Sequence, residues 1–99
     1  MIKVNFENKI IRISGHSGYA EKGLDIVCSA VSSIVTTSIN AILSFASTIK
    51  VTDDGSVLEI SILKNDEITD KLIVNMINLL KELESQYKNN IRTEEKQIC

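Results

Sequence analysis

The sequence predicts an α+β fold: two strands, a helix, two strands and a second helix, with a mainly antiparallel four-stranded sheet packed against two long helices. Two observations predict it. Apolar and polar residues alternate in four short runs, at the period of half-buried strands, and the runs fall into two pairs joined by tight turns. After each pair comes a longer stretch whose apolar residues recur at three- and four-residue steps, the period of a helix.

Ile2, Val4 and Phe6 alternate with Lys3 and Asn5, which predicts the first strand. Glu7-Asn8-Lys9 reads as a turn, and Ile11 and Ile13 alternate with Arg12 and Ser14 as the second strand. Gly15 ends it, and the segment from Gly15 to Leu24 has no apolar period. Asp25 is a suitable N-cap for the helix that follows. There Val27, Val31, Val35, Ile39, Ile42 and Ala46 form an apolar row, widened by Ile34, Leu43 and Phe45. Ile49 to Thr52 begins a third strand, Asp53-Asp54-Gly55-Ser56 forms a hairpin turn, and Val57 to Leu63 is the fourth strand. Asn65 and Asp66 can cap a second helix that runs to about Tyr87, with an apolar stripe from Ile68 through Leu72, Ile73, Met76, Ile77 and Leu80 to Leu83. Lys88 to Cys99 is polar and reads as a frayed tail.

A chain of 99 residues suits one domain, 1–99. The formal net charge of -2 argues against a protein that grips nucleic acid through its phosphates, and leaves a basic peptide as a suitable ligand. Two cysteines, Cys28 and Cys99, make no disulfide framework, and the alternating start reads as a strand and not a secretion leader; both point to a reducing cytoplasm. From Ile26 to Ile49 there is no charged residue, but ten Ser, Thr and Asn side chains in that span are costly in lipid. A solvent-facing helix usually carries charges, so this one is expected to be covered on more than one side, by the sheet and by a second subunit.

The chemistry concentrates between residues 15 and 28. The one histidine, His16, follows the second strand, and Cys28 opens the first helix, with Gly15, Gly18 and Gly23 around the intervening loop. At neutral pH only a few per cent of a free thiol is thiolate. A place in the first helical turn, beside unpaired N–H groups and the positive end of the dipole, favours the anion. An imidazole folded back beside the sulfur adds to this, and can pass a proton to a leaving group. The helix end also offers N–H donors to an oxyanion, among them that of Cys28 itself. Ser32 lies one turn on, on the face of Cys28, where it can orient a ring or a substrate group. Asp25 has two readings, helix cap or the acid that orients His16. The glycines allow the loop to swing over a bound peptide. An inert core cysteine beside a surface histidine gives the same spacing. His16, Cys28 and Asp25 are too few for a metal site, so no metal or cofactor is expected. The glycines match no phosphate-binding pattern.

Gly15-His16-Ser17-Gly18-Tyr19-Ala20, followed by Gly23-Leu24-Asp25-Ile26-Val27-Cys28-Ser29-Ala30-Val31-Ser32, resembles the signature of the ribosomal-processing cysteine proteases of Firmicutes and related bacteria. The resemblance extends over essentially the whole chain. It implies a cytoplasmic, homodimeric cysteine endopeptidase that removes a short N-terminal extension from a large-subunit ribosomal protein. It implies Cys28 as nucleophile and His16 as general base and acid, with Asp25 and Ser32 at the other polar signature positions. Ser17 and Ser29 stand where the family commonly has alanine, small changes that leave the dyad intact. Two other classes fit parts of the sequence: a non-catalytic, ribosome-associated protein-binding module, in which the dyad is incidental, and a redox thiol. The second is weak, because Cys99 is the one partner within the chain for Cys28.

Overall fold

The computed structural model describes the backbone of residues 1–15 and 24–96, and the side chains of residues 1–15 and 26–95. The elements run β1 (Ile2–Glu7), β2 (Ile10–Ser14), α1 (Leu24–Phe45), β3 (Ile49–Asp53), β4 (Val57–Ile62), α2 (Glu67–Gln86) and β5 (Ile91–Lys96). The first six are those the sequence predicts. The seventh corrects it twice. Residues 91–96 are a strand and not a frayed tail, and the sheet is five-stranded and mixed, in the order β3-β4-β2-β1-β5. β5 lies parallel to β1, Ile2 opposite Ile91 and Glu7 opposite Lys96, whereas every other pairing is antiparallel.

Each turn has a local cause. Asn8 and Lys9 both have positive φ, 54° and 63°, the geometry of a two-residue hairpin whose twist matches its strands. In the β3–β4 turn, Asp53 Oδ1 accepts the Gly55 N–H at 2.9 Å. Asp54 Oδ1 accepts the N–H groups of Ser56 and Val57, each at 2.8 Å. Gly55 supplies the φ of +90° that closes the turn. Asp66 caps α2 by accepting from the Thr69 N–H and Oγ1 at 3.0 Å. Since a carboxylate only accepts, Thr69 donates to it, and Thr48 is the donor in the buried 2.6 Å Thr48–Thr69 bond. That bond ties the approach to β3 onto the start of α2.

One sheet face is covered. Ile2, Val4, Ile11, Ile13, Ile49, Ile60 and Ile91 are buried from the strands, and meet Val27, Val31, Val35 and Ile42 of α1 and Ile73, Met76, Ile77 and Leu80 of α2. The other face carries Lys3, Asn5, Arg12, Glu59, Arg92 and Glu94, with ion pairs Arg12–Glu59 at 3.0 Å and Arg92–Glu94 at 3.1 Å. Alternation along each strand fixes which residues face inward. α1 is long and apolar enough to cross a membrane by length and composition, with mean hydropathy 1.8. In this fold its Val27–Ile42 stripe is core, while Ile26, Leu43 and Phe45 are exposed.

Candidate active site

β2 runs up through the sheet and ends at Ser14, and α1 returns beneath it. Gly15, where the chain leaves β2, has φ +96°, and a Cβ there would overlap the Met1 carbonyl oxygen. The sequence reading made Gly15 one of three loop glycines; close packing against the start of β1 accounts for this one. His16, Gly18 and Gly23 lie outside the described residues.

α1 begins at Leu24, one residue before the expected cap, so Asp25 stands inside the first turn. Its side chain lies outside the described set. Cys28 is therefore the fifth helical residue, and the helical pattern pairs its N–H with the Leu24 carbonyl. The unpaired N–H groups are those of Leu24, Asp25 and Ile26, one turn earlier. The expectation that the Cys28 N–H donates to an oxyanion is corrected on this point. The helix dipole also supports an anion at Cys28 less than a first-turn position would, because its influence falls off within that turn.

Cys28 is a free thiol, half-buried, on the flank of the core-facing stripe and packed against it. Ser32 is exposed, one turn further on. Every four residues rotate the helix surface by about 40°, so the row Cys28, Ser32, Thr36 drifts outward from the core edge to the surface. Beside this row, between α1 and the β3–β4 hairpin, is a cleft of about 140 Å³. Ile13, Val31, Val35 and Leu58 form its apolar part, and Ser32, Thr36 and Asp53 its polar part. Ser32 and Thr36 lie about 6 and 12 Å from Cys28 along the helix axis, so the cleft extends from the thiol's immediate neighbourhood.

Sequence reasoning found Cys28 and Ser32 but not Thr36 or Asp53. Thr36 was findable as two helical turns past Cys28; Asp53 was read only as a turn residue. Next to it, Asp54 titrates below the usual carboxylate range because the Val57 and Ser56 N–H groups bond it. Larger hollows lie elsewhere, about 510 Å³ beside Lys81, Lys88 and Arg92, and about 250 Å³ over Asn5, Arg12 and Glu94 on the open sheet face. They are ringed by ionised side chains and, among the described residues, no cysteine lines them, so the smaller cleft near the thiol is the better active-site candidate.

Comparison with known proteins shows the family. Residues 1–92 match the family model described as Cysteine protease Prp. The chain is similar to the ribosomal processing cysteine protease Prp of Staphylococcus aureus (strain Mu50 / ATCC 700699), 33% identical over 97 residues that cover 92% of each chain. Among solved structures it is similar in fold to an essential ribosomal processing protease Prp from S. aureus in complex with a substrate peptide. The TM-score is 0.85 at 23% identity, covering 96% of this chain and 97% of that one. A second S. aureus Prp structure, with a covalently linked product peptide, has TM-score 0.80 at 26% identity with the same coverage, 96% and 97%.

Proposed function

Given that this chain belongs to the Prp family of cysteine proteases, we propose that it cuts a short N-terminal extension from a large-subunit ribosomal protein, with Cys28 as nucleophile and His16 as general base and acid. The observation that carries the assignment is the place of Cys28: a free, half-buried thiol on a helix, one turn before Ser32, which lines a cleft that can hold part of a peptide. The substrate class is taken from the S. aureus relatives, which process ribosomal protein and of which one holds a covalently linked product peptide. A non-catalytic binding module does not fit a member of a protease family.

The steps balance as follows. His16 takes the Cys28 proton, and the thiolate sulfur attacks the scissile carbonyl carbon to give a tetrahedral oxyanion. The N–H groups at the start of α1 are suited to stabilise that charge. Collapse breaks the C–N bond, and His16 gives its proton to the departing amine. The acyl group remains on sulfur as a thioester. Water, deprotonated by His16, attacks it, and the thiol returns. Asp25 serves to orient His16 from the first helical turn, and Ser32 to contact the peptide. Gly18 and Gly23 let the loop close over the substrate, from an anchor at Gly15. The working form is a cytoplasmic homodimer, supported by the uncharged outer face of α1.

The test is incubation with the extended ribosomal protein, with and without iodoacetamide, read by intact mass. One truncated product is expected, absent after alkylation. Cys28→Ala and His16→Ala are expected to lower cleavage by about three orders of magnitude or more. Because Cys28 is only partly buried, Cys28→Ala should keep its unfolding transition. Cleavage at the native rate by Cys28→Ala would falsify the assignment.

A further inference from the structure

We propose that the cleft between α1 and the β3–β4 hairpin receives a lysine or arginine side chain of the substrate peptide, and that Asp53 selects it. This deepens the protease reading and rests on Cys28 as the nucleophile.

The cleft, at about 140 Å³, is far smaller than a site for a drug-sized ligand, and of a size for one side chain. Val31, Val35 and Leu58 give an apolar wall. The polar lining, Ser32, Thr36 and Asp53, offers only oxygen atoms, and among the described residues no cationic side chain lines it. An aliphatic stem that ends in a cation matches both parts at once: methylenes against the valines and leucine, the charged head against the carboxylate and hydroxyls. Asp53 is held for this. Its Oδ1 accepts the Gly55 N–H at 2.9 Å, and among the described residues it forms no ion pair.

The geometry also fixes which substrate residue is read. The cleft begins about 6 Å and ends about 12 Å from Cys28 along α1. An extended peptide advances about 3.3 Å per residue, so the selected residue lies two to four positions from the cut bond.

The experiment uses the full-length enzyme and peptides carrying lysine or norleucine at each position two to four residues on either side of the cut bond. The readout is the lysine-to-norleucine ratio of kcat/KM within each variant, so differences in active fraction cancel. At one position the ratio is expected to be about three to five at low ionic strength, the size that one exposed ion pair allows. Asp53→Asn, which keeps an acceptor for the Gly55 N–H, is expected to bring it to about one, and Asp54→Asn, outside the cleft lining, to keep it. A ratio near one at every position in the native enzyme, or one unchanged in Asp53→Asn, overturns the proposal. Native-rate cleavage by Cys28→Ala would instead overturn the nucleophile assignment and with it the positional arithmetic. The dependence of the ratio on Asp53 would still be read in its own right.

Discussion

Gly15 is the residue at which the chain leaves β2, packed against the start of β1. Its φ of +96° disfavours any side chain, and the Met1 carbonyl occupies the place of a Cβ. Gly15→Ala is expected to cost about 2 kcal/mol or more, from positive φ together with displacement of the start of β1. Chemical denaturation should report the loss, and a neutral result would mean that β1 can move aside freely. Cys28 was legible as a candidate because a thiol near a helix start, a dozen residues from the one histidine, is a recognisable chemical pattern. The cap was not legible to the residue. A carboxylate is favourable both at the N-cap and inside the first turn, so Asp25 signals that a helix starts here without saying whether it starts at 24 or 26. That two-residue difference moves Cys28 into the second turn and takes its N–H out of the set of free donors.

At the scale of elements, β5 is the one that the sequence concealed. Its Ile91-Arg92-Thr93-Glu94-Glu95-Lys96 has one apolar residue, and Glu and Lys are poor strand formers in isolation. Charges suit an edge strand, which must discourage pairing with other chains. What makes it a strand is tertiary: α2 brings the chain back beside β1, and Glu84 of α2 accepts the Thr93 N–H at 3.1 Å and its Oγ1–H at 2.6 Å. Neither contact has a local signature. Ile91 is fully buried, and Ile91→Ala is expected to lower stability by about 2–5 kcal/mol, seen as a lower urea midpoint. Retention of the midpoint would show that β5 docks without supporting the core. The first six elements were legible because each shows its own period, and because Asp53, Gly55 and Asp66 mark turns and caps through short-range bonds.

For the whole molecule, the two helices cover one sheet face and leave a broad uncharged surface on α1. From Ile26 to Phe45 no lysine, arginine, aspartate or glutamate interrupts it, and Ile26, Leu43 and Phe45 are exposed. If two copies meet there, Thr37→Glu, at an exposed position on that face, is expected to shift the protein from dimer to monomer in sedimentation equilibrium at micromolar concentration. A dimer unaffected by this charge would place the contact elsewhere. The sequence showed this face as an anomaly of composition, while the layer it belongs to needed the strand order to be seen.

The parallel register of β1 with β5 joins residues 2–7 to residues 91–96. A ribosome releases a chain from its first residue onward, so the earliest strand to emerge has to wait for the latest. The first hairpin and α1 can form meanwhile, but the edge beside β1 stays open until residues 91–96 are free. A protein whose proposed work is to finish a ribosomal component is thus one whose own sheet closes only after residues 91–96 have been made.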